Sequence, residues 1–241
     1  MNILTNESLV RRNARIASIS MLAGLLVLVG GIFVSFRLPT GENPTLQFNL
    51  SMILLLVGFT LSQVGIYFSN RWGRRPRPDQ LLDQALKGLD GRYSIYHYLL
   101  PAAHVLIGPA GVWVLFPRHQ RGTISFSKGR WRQRGGGLLL GYLKLFAQEG
   151  LGRPDVEIAG ETEALKRYLT KVLPEGTSLP EIQAALVFTN PRTEIDIAED
   201  ENPPAEAVPL GKLKEMIRKA GKAKGMPVEK ARIIQQALES E

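Results

Sequence analysis

The sequence has no cysteine. That excludes a disulfide framework, a thiolate metal site and a cysteine nucleophile. Histidine is scarce, with three in 241 residues. His97 and His104 fall on expected strands and His119 in a turn, none with a partner carboxylate in view, so they read as structural rather than as metal ligands. A Gly-x-Ser-x-Gly elbow and a His-Glu-x-x-His helix are also missing. The "GPAG" at 108–111 lacks the Lys-Ser/Thr of a phosphate-binding loop and reads as a turn.

Charge is absent from two long runs. Ile16 to Phe36, "IASISMLAGLLVLVGGIFVSF", and Leu50 to Phe68, "LSMILLLVGFTLSQVGIYF", contain no Asp, Glu, Lys or Arg. A helix of roughly 20 such residues crosses a hydrocarbon core. The first run is too long for the apolar part of a cleaved signal, so it is expected to be retained. With no acid or base inside either run, a transport or proton-relay role is not expected. The glycines of "LAGLLVLVGG" and "LLVGFTLSQVG" suit close helix packing.

The flanks set an expected orientation. Arg11, Arg12 and Arg15 precede the first run, and Arg71, Arg74, Arg75 and Arg77 follow the second. These seven nearly account for the net charge of +8. The positive-inside rule places both ends in the cytoplasm and the loop between the runs outside. The expected layout is an N-terminal cytoplasmic segment at 1–15, a span at 16–36, an external loop at 37–49, a second span at 50–68, a basic linker at 69–78 and a cytoplasmic domain at 79–241. The expected location is the plasma membrane of a prokaryote, with membrane lipid as one partner.

The soluble part alternates between helical and strand patterns. Pro78 and Asp79 suit a helix start, with Leu81, Leu82, Ala85, Leu86 and Leu89 at helical spacing and Asp90-Gly91 as the stop. "RYSIYHYLL", "AHVLIG", "GVWVLF" and "GTISFSKGRW" read as strands. A helix is expected near 138–148 and a longer one over 155–173. "AALVFTN" and "TEIDIA" are two more strands, "DENPPAEAVP" is a polar loop, and "LGKLKEMIRKAG" and "PVEKARIIQQALES" are closing helices. This order implies an α+β, or mixed α/β, fold with a mixed sheet flanked by helices.

Certain residues in this stretch carry a family pattern: Tyr93, then "HVLIGPAGVWVL" from His104 to Leu115, Gly122, Trp131, "RPDVE" at 153–157 and "VFTNP" at 187–191. The chain from about 78 to 215 resembles the nuclease-related domain (NERD) family. That resemblance implies a restriction-endonuclease-like fold, with metal-binding acids and a lysine on the strand pair around "GPAG". The departures fall on those positions. The family's Asp before the His is Ala103, its Glu-x-Lys is Phe116, Pro117 and Arg118, and the Gln of its later helix is Glu157. Asp79 and Glu157 stand as remnants. Hydrolysis of this kind needs carboxylates to fix Mg²⁺ and a lysine to help orient the water. Arginine stays protonated and makes a poor proton acceptor. The resemblance therefore implies a degenerate, non-catalytic scaffold with no cofactor. The alternative is a Mg²⁺-dependent nuclease whose site has moved, with Glu194 and Asp196 as candidates on one face of their strand. A structural subunit of a membrane assembly is the third class.

"SKGRWRQRGGG" groups Lys128, Arg130, Arg132 and Arg134 around Trp131. Basic residues beside an aromatic suit a phosphate backbone and a stacked base. The same text suits an anionic lipid surface, or a strand with arginines outward and the tryptophan inward. The tail cations Lys212, Lys214, Arg218, Lys219, Lys222, Lys224, Lys230 and Arg232 read as a solvated helical face. Expected ligands of the domain are therefore nucleic acid or a membrane protein.

Overall fold

The computed structural model describes residues 1–36, 44–73, 75–135, 150–198 and 200–239. The chain divides into two compact units. One holds Glu7–Arg77. The other holds Met1–Asn6 and, among the described residues, the chain from Pro78 onward, so the first unit interrupts the second. The helix expected near 138–148 lies outside the described residues.

The hairpin unit has two helices, α1 (Glu7–Phe36) and α2 (Pro44–Phe68), followed by a π-helical turn at Ser69–Gly73. Both are long and apolar enough to cross a membrane. The contact seam on α1 runs through Val10, Asn13, Ala17, Gly24 and Gly31, a roughly heptad spacing. Glycine is required where the backbones meet. A Cβ on Gly24 would stand 2.8 Å from the Ser62 nitrogen, and one on Gly58 would stand 2.8 Å from the Leu28 nitrogen. Neither backbone can yield without separating the helices. Glu7 and Arg77, at the two ends of this unit, approach to 3.8 Å.

The second unit is built on a six-stranded sheet in the order β1-β2-β3-β4-β7-β9. The strands are β1 (Asn2–Thr5), β2 (Ser94–His97), β3 (His104–Gly108), β4 (Gly111–Arg118), β7 (Ile182–Phe188) and β9 (Glu206–Pro209). The β2–β3 and β3–β4 pairs are antiparallel, while β1–β2, β4–β7 and β7–β9 are parallel. This is a mixed sheet. Successive strand residues point to opposite faces, and both faces are covered. Val105, Ile107, Val112, Val114, Phe116, Leu186 and Phe188 pack on one side with Ile158, Leu165 and Leu169 of α4 (Pro154–Val172) and Ile234 of α6 (Val228–Glu239). Leu106, Trp113, Leu115, Ala185 and Val187 pack on the other with Leu82 and Leu86 of α3 (Pro78–Leu86) and Leu213 and Ile217 of α5 (Leu213–Ala223). Two-sided burial is why β3 and β4 read as unbroken apolar runs. Each fully buried Leu, Ile or Phe contributes about 1.5–3 kcal/mol, so neither layer is dispensable.

A second, three-stranded sheet has the order β6-β5-β8. It contains β5 (Gly122–Ser127), β6 (Arg130–Arg134) and β8 (Thr193–Ile197). Its inner residues Ile124, Phe126 and Trp131 join the α4-side core.

The architecture departs from the sequence expectation in several described places. Residues 2–5 of the expected N-terminal segment are a strand of the main sheet, paired in register with Ser94–His97. α1 begins at Glu7 rather than Ile16, because polar residues continue the helix past the apolar run. "GTISFSKGRW" is two strands, reversed at Lys128-Gly129, both with positive φ, as a two-residue hairpin turn needs. β9 occupies the end of the expected polar loop, its Val208 entering the α3-side core.

Candidate functional site

Three groups of polar side chains collect the chemistry of the sheet unit. The first lies at the β3–β4 hairpin, where the resemblance places catalytic residues. Phe116 and Arg118 are two apart on β4 and share the α4 face. Phe116 is 3% exposed and belongs to the core. The Arg118 guanidinium donates to the Glu157 carboxylate on α4, with its own side chain 17% exposed. One turn further along α4, Glu161 accepts the Ala103 backbone N–H at 3.0 Å. The Arg118 carbonyl accepts from the Thr189 N–H at 2.7 Å and from its hydroxyl at 3.1 Å. One turn of α4 thus clamps the end of β4 and the start of β3.

This donor set does not fit a divalent cation. Ala103 and Phe116 offer no side-chain oxygen, and the carboxylate of Glu157 faces a fixed cation. Asp79 does not join it. It is buried in the first turn of α3, a placement that favours a carboxylate beside the free N–H groups. But α3 and α4 cover opposite faces of the sheet. Among the described residues no three His, Asp or Glu side chains are grouped to hold a metal ion.

The second group lies on the α3 face. His97 is fully buried and His104 is 3% exposed. They are cross-strand partners on β2 and β3, with the two Nδ1 atoms 2.9 Å apart. His97 Nε2 stands 3.0 Å from Asp83 Oδ1 on α3. This corrects the expectation that no carboxylate serves these histidines. The tautomer of His97 that carries its proton on Nε2 donates to the Asp83 carboxylate. In that tautomer its Nδ1 accepts from a His104 Nδ1–H. The Tyr98 ring packs edge-on against His104 with centroids 4.8 Å apart. Tyr98 has φ 59, which ends β2 early and explains why the expected strand through Leu100 is short.

The third group is the outer face of the small sheet. Arg130, Arg132 and Arg134 alternate along β6 and are all exposed. Their partners on β5 are Ser127, Ser125 and Thr123, and Thr123 and Ser125 in turn pair with Glu194 and Asp196 on β8. The face is therefore three parallel rows of arginine, hydroxyl and carboxylate. The middle row keeps the charges two strands apart, about 9–10 Å. Thr123 donates to Glu194 at 3.3 Å. Trp131 has the opposite parity. It is 6% exposed and packs on Phe126 with ring centroids 5.1 Å apart, so it is a core residue and not a stacking platform. Lys128 sits at the exposed turn, its N–H held by Glu201 at 3.3 Å. Beside this face, Asp155 is held below the usual carboxylate range by its hydrogen bonds from Arg153, with a smaller contribution from Arg130.

Several tail cations serve the fold. Lys214 and Arg218 donate to the carbonyls of Lys87 and Gly88 just past the end of α3, where free carbonyls attract positive charge. Lys224 pairs with Glu181 and Arg232 with Glu229.

Sequence reasoning missed Asp83 and Glu161. Both had a signal, since each stands four residues after an acid already singled out (Asp79 and Glu157), on the same helical face. No family model, curated protein or solved structure matches this chain.

Proposed function

We propose that this chain is a membrane-anchored, non-catalytic binding module on a nuclease-related scaffold. Its ligand is a nucleic-acid backbone, met by the outer face of the small sheet. The two apolar helices are its anchor in a prokaryotic plasma membrane, with the sheet unit on the cytoplasmic side. The reading is carried by the row of Arg130, Arg132 and Arg134, exposed on one strand face with no acid beside them on the adjacent strand β5. Alternate residues of a strand lie about 6.7 Å apart, a spacing comparable to that of successive phosphates in an extended single strand. The serines and threonine of β5 add donors next to each guanidinium. The Arg118–Glu157 pair supports the non-catalytic part, because it neutralises within the protein a carboxylate that a metal would otherwise need.

The test uses the full chain in nanodiscs of neutral lipid, titrated with labelled single- and double-stranded DNA and RNA in the presence of Mg²⁺. Binding without strand cleavage is expected. Three phosphate contacts predict that log K falls with log salt at a slope of about −2 for single strands, from roughly −0.7 per contact. Changing Arg130, Arg132 and Arg134 to Gln is expected to flatten that slope and weaken binding at least tenfold. Metal-dependent cleavage that disappears with Glu194→Gln or Asp196→Asn would replace this reading with the displaced nuclease.

A further inference from the structure

We propose that the first turns of α1 form a binding site for the phosphate headgroup of an anionic glycerophospholipid. This rests on the membrane reading above. A cavity of about 330 Å³ is lined by Ser8, Arg11, Arg12, Arg15, Ile16 and Ile19. These positions recur three or four apart, so a single face of α1 makes the cavity. The seam that meets α2 is a different face, through Val10, Asn13 and Ala17, and the three arginines are exposed.

Charge and shape both point to a phosphate on a lipid. Arg11 and Arg15 are four apart, and Arg12 and Arg15 three apart, spacings at which like charges destabilise a helix. Among the described residues no carboxylate pairs with any of the three. The nearest acid in sequence, Glu7, is turned to Arg77. A phosphodiester among the guanidiniums removes that repulsion with charge-assisted hydrogen bonds, and Ser8 lines the same cavity. Below the arginines the same face continues as Ile19, Leu22, Leu26, Val29 and Phe33, each 55% or more exposed. A free phosphate would use only the upper part of this surface. An acyl chain lying along the apolar line uses all of it.

The experiment compares the full chain with two triple variants of equal charge loss. In one, Arg11, Arg12 and Arg15 become Gln. In the other, Arg71, Arg74 and Arg75, which follow the second apolar run in sequence, become Gln. Each protein is first floated with vesicles, then exchanged between phosphatidylglycerol and phosphatidylcholine in mixed micelles, and retained lipid is read by native mass spectrometry. Inorganic phosphate and glycerol phosphate are the soluble competitors. Expected is a tenfold or greater preference for phosphatidylglycerol, with one lipid retained. The α1 variant is expected to lose it and the control variant to keep it, with neither competitor displacing the lipid at millimolar concentration. Equal loss in both variants, or no preference in the unaltered chain, overturns the site and leaves the anchor intact. Displacement by inorganic phosphate reassigns it to a free anion and overturns the lipid. A chain that floats with no vesicle overturns the membrane reading and this site together.

Discussion

Arg118 and Glu157 tie the end of a strand to its helix neighbour. The guanidinium is planar, always charged and shaped for a carboxylate, and here it meets Glu157. Arg118 is mostly buried while Glu157 is 40% exposed, so solvent screens the pair in part. We expect Arg118→Met to cost about 1–2 kcal/mol, Glu157→Gln less, and the double variant less than the sum. Denaturant unfolding of the four chains would measure the coupling, and strict additivity would mean the two groups act independently. Tyr96 offers a separate residue-scale test. Burial pushes its phenol up to about 12 from the ordinary value near 10. The unfolded chain then loses this proton first. Its contribution is complete below pH 10 and is lost as pH rises through about 12. Tyr96→Phe is expected to flatten stability against pH in that window, with no change in slope between pH 6 and 9.

At the scale of elements, β1 is the most consequential strand and one of the shortest. It has four residues at the edge of the main sheet, held by the parallel register with β2 and by the Asn2 N–H to the Tyr93 carbonyl and the Asn6 N–H to the His97 carbonyl. A fragment starting at Pro78 lacks it and leaves the β2 edge open for other chains to pair with. We expect that fragment to melt about 5 °C below, and to self-associate more than, a chain in which Met1–Asn6 is joined to Pro78 by a short Gly-Ser linker in place of the hairpin unit. Equal melting temperatures and equal monomer fractions would show β1 to be dispensable. Nothing in "NILT" announces this strand. Four residues before a long helical run have too little periodicity to read, and the partner lies about ninety positions away. β9 is hidden for a similar reason, since "EAVP" is short and follows two prolines. The strands of "HVLIGPAGVWVL" were legible because burial on both faces leaves a continuous apolar run around a turn only a few residue types can make.

For the molecule as a whole, the mixed sheet with helices on both faces and the two apolar helices could be read from period and composition. The grouping of polar side chains could not. Sequence spacing placed Lys128, Arg130, Arg132 and Arg134 together with Trp131, and strand parity then separated the tryptophan from the arginines. It placed Glu194 and Asp196 apart from them, and the parallel β5–β8 register set all five charged strand residues on one face. Pairing between distant strands carries that information, and no local pattern encodes it. The same long-range pairing governs the order of synthesis. β1 leaves the ribosome first and its partner β2 follows only after both long helices, because the sheet unit is split around the hairpin. β1 can therefore pair with β2 only after the whole hairpin has been made. A chain whose hairpin stays unfolded keeps the β2 edge unpaired, with the backbone groups of Ser94–His97 open to water or to another chain.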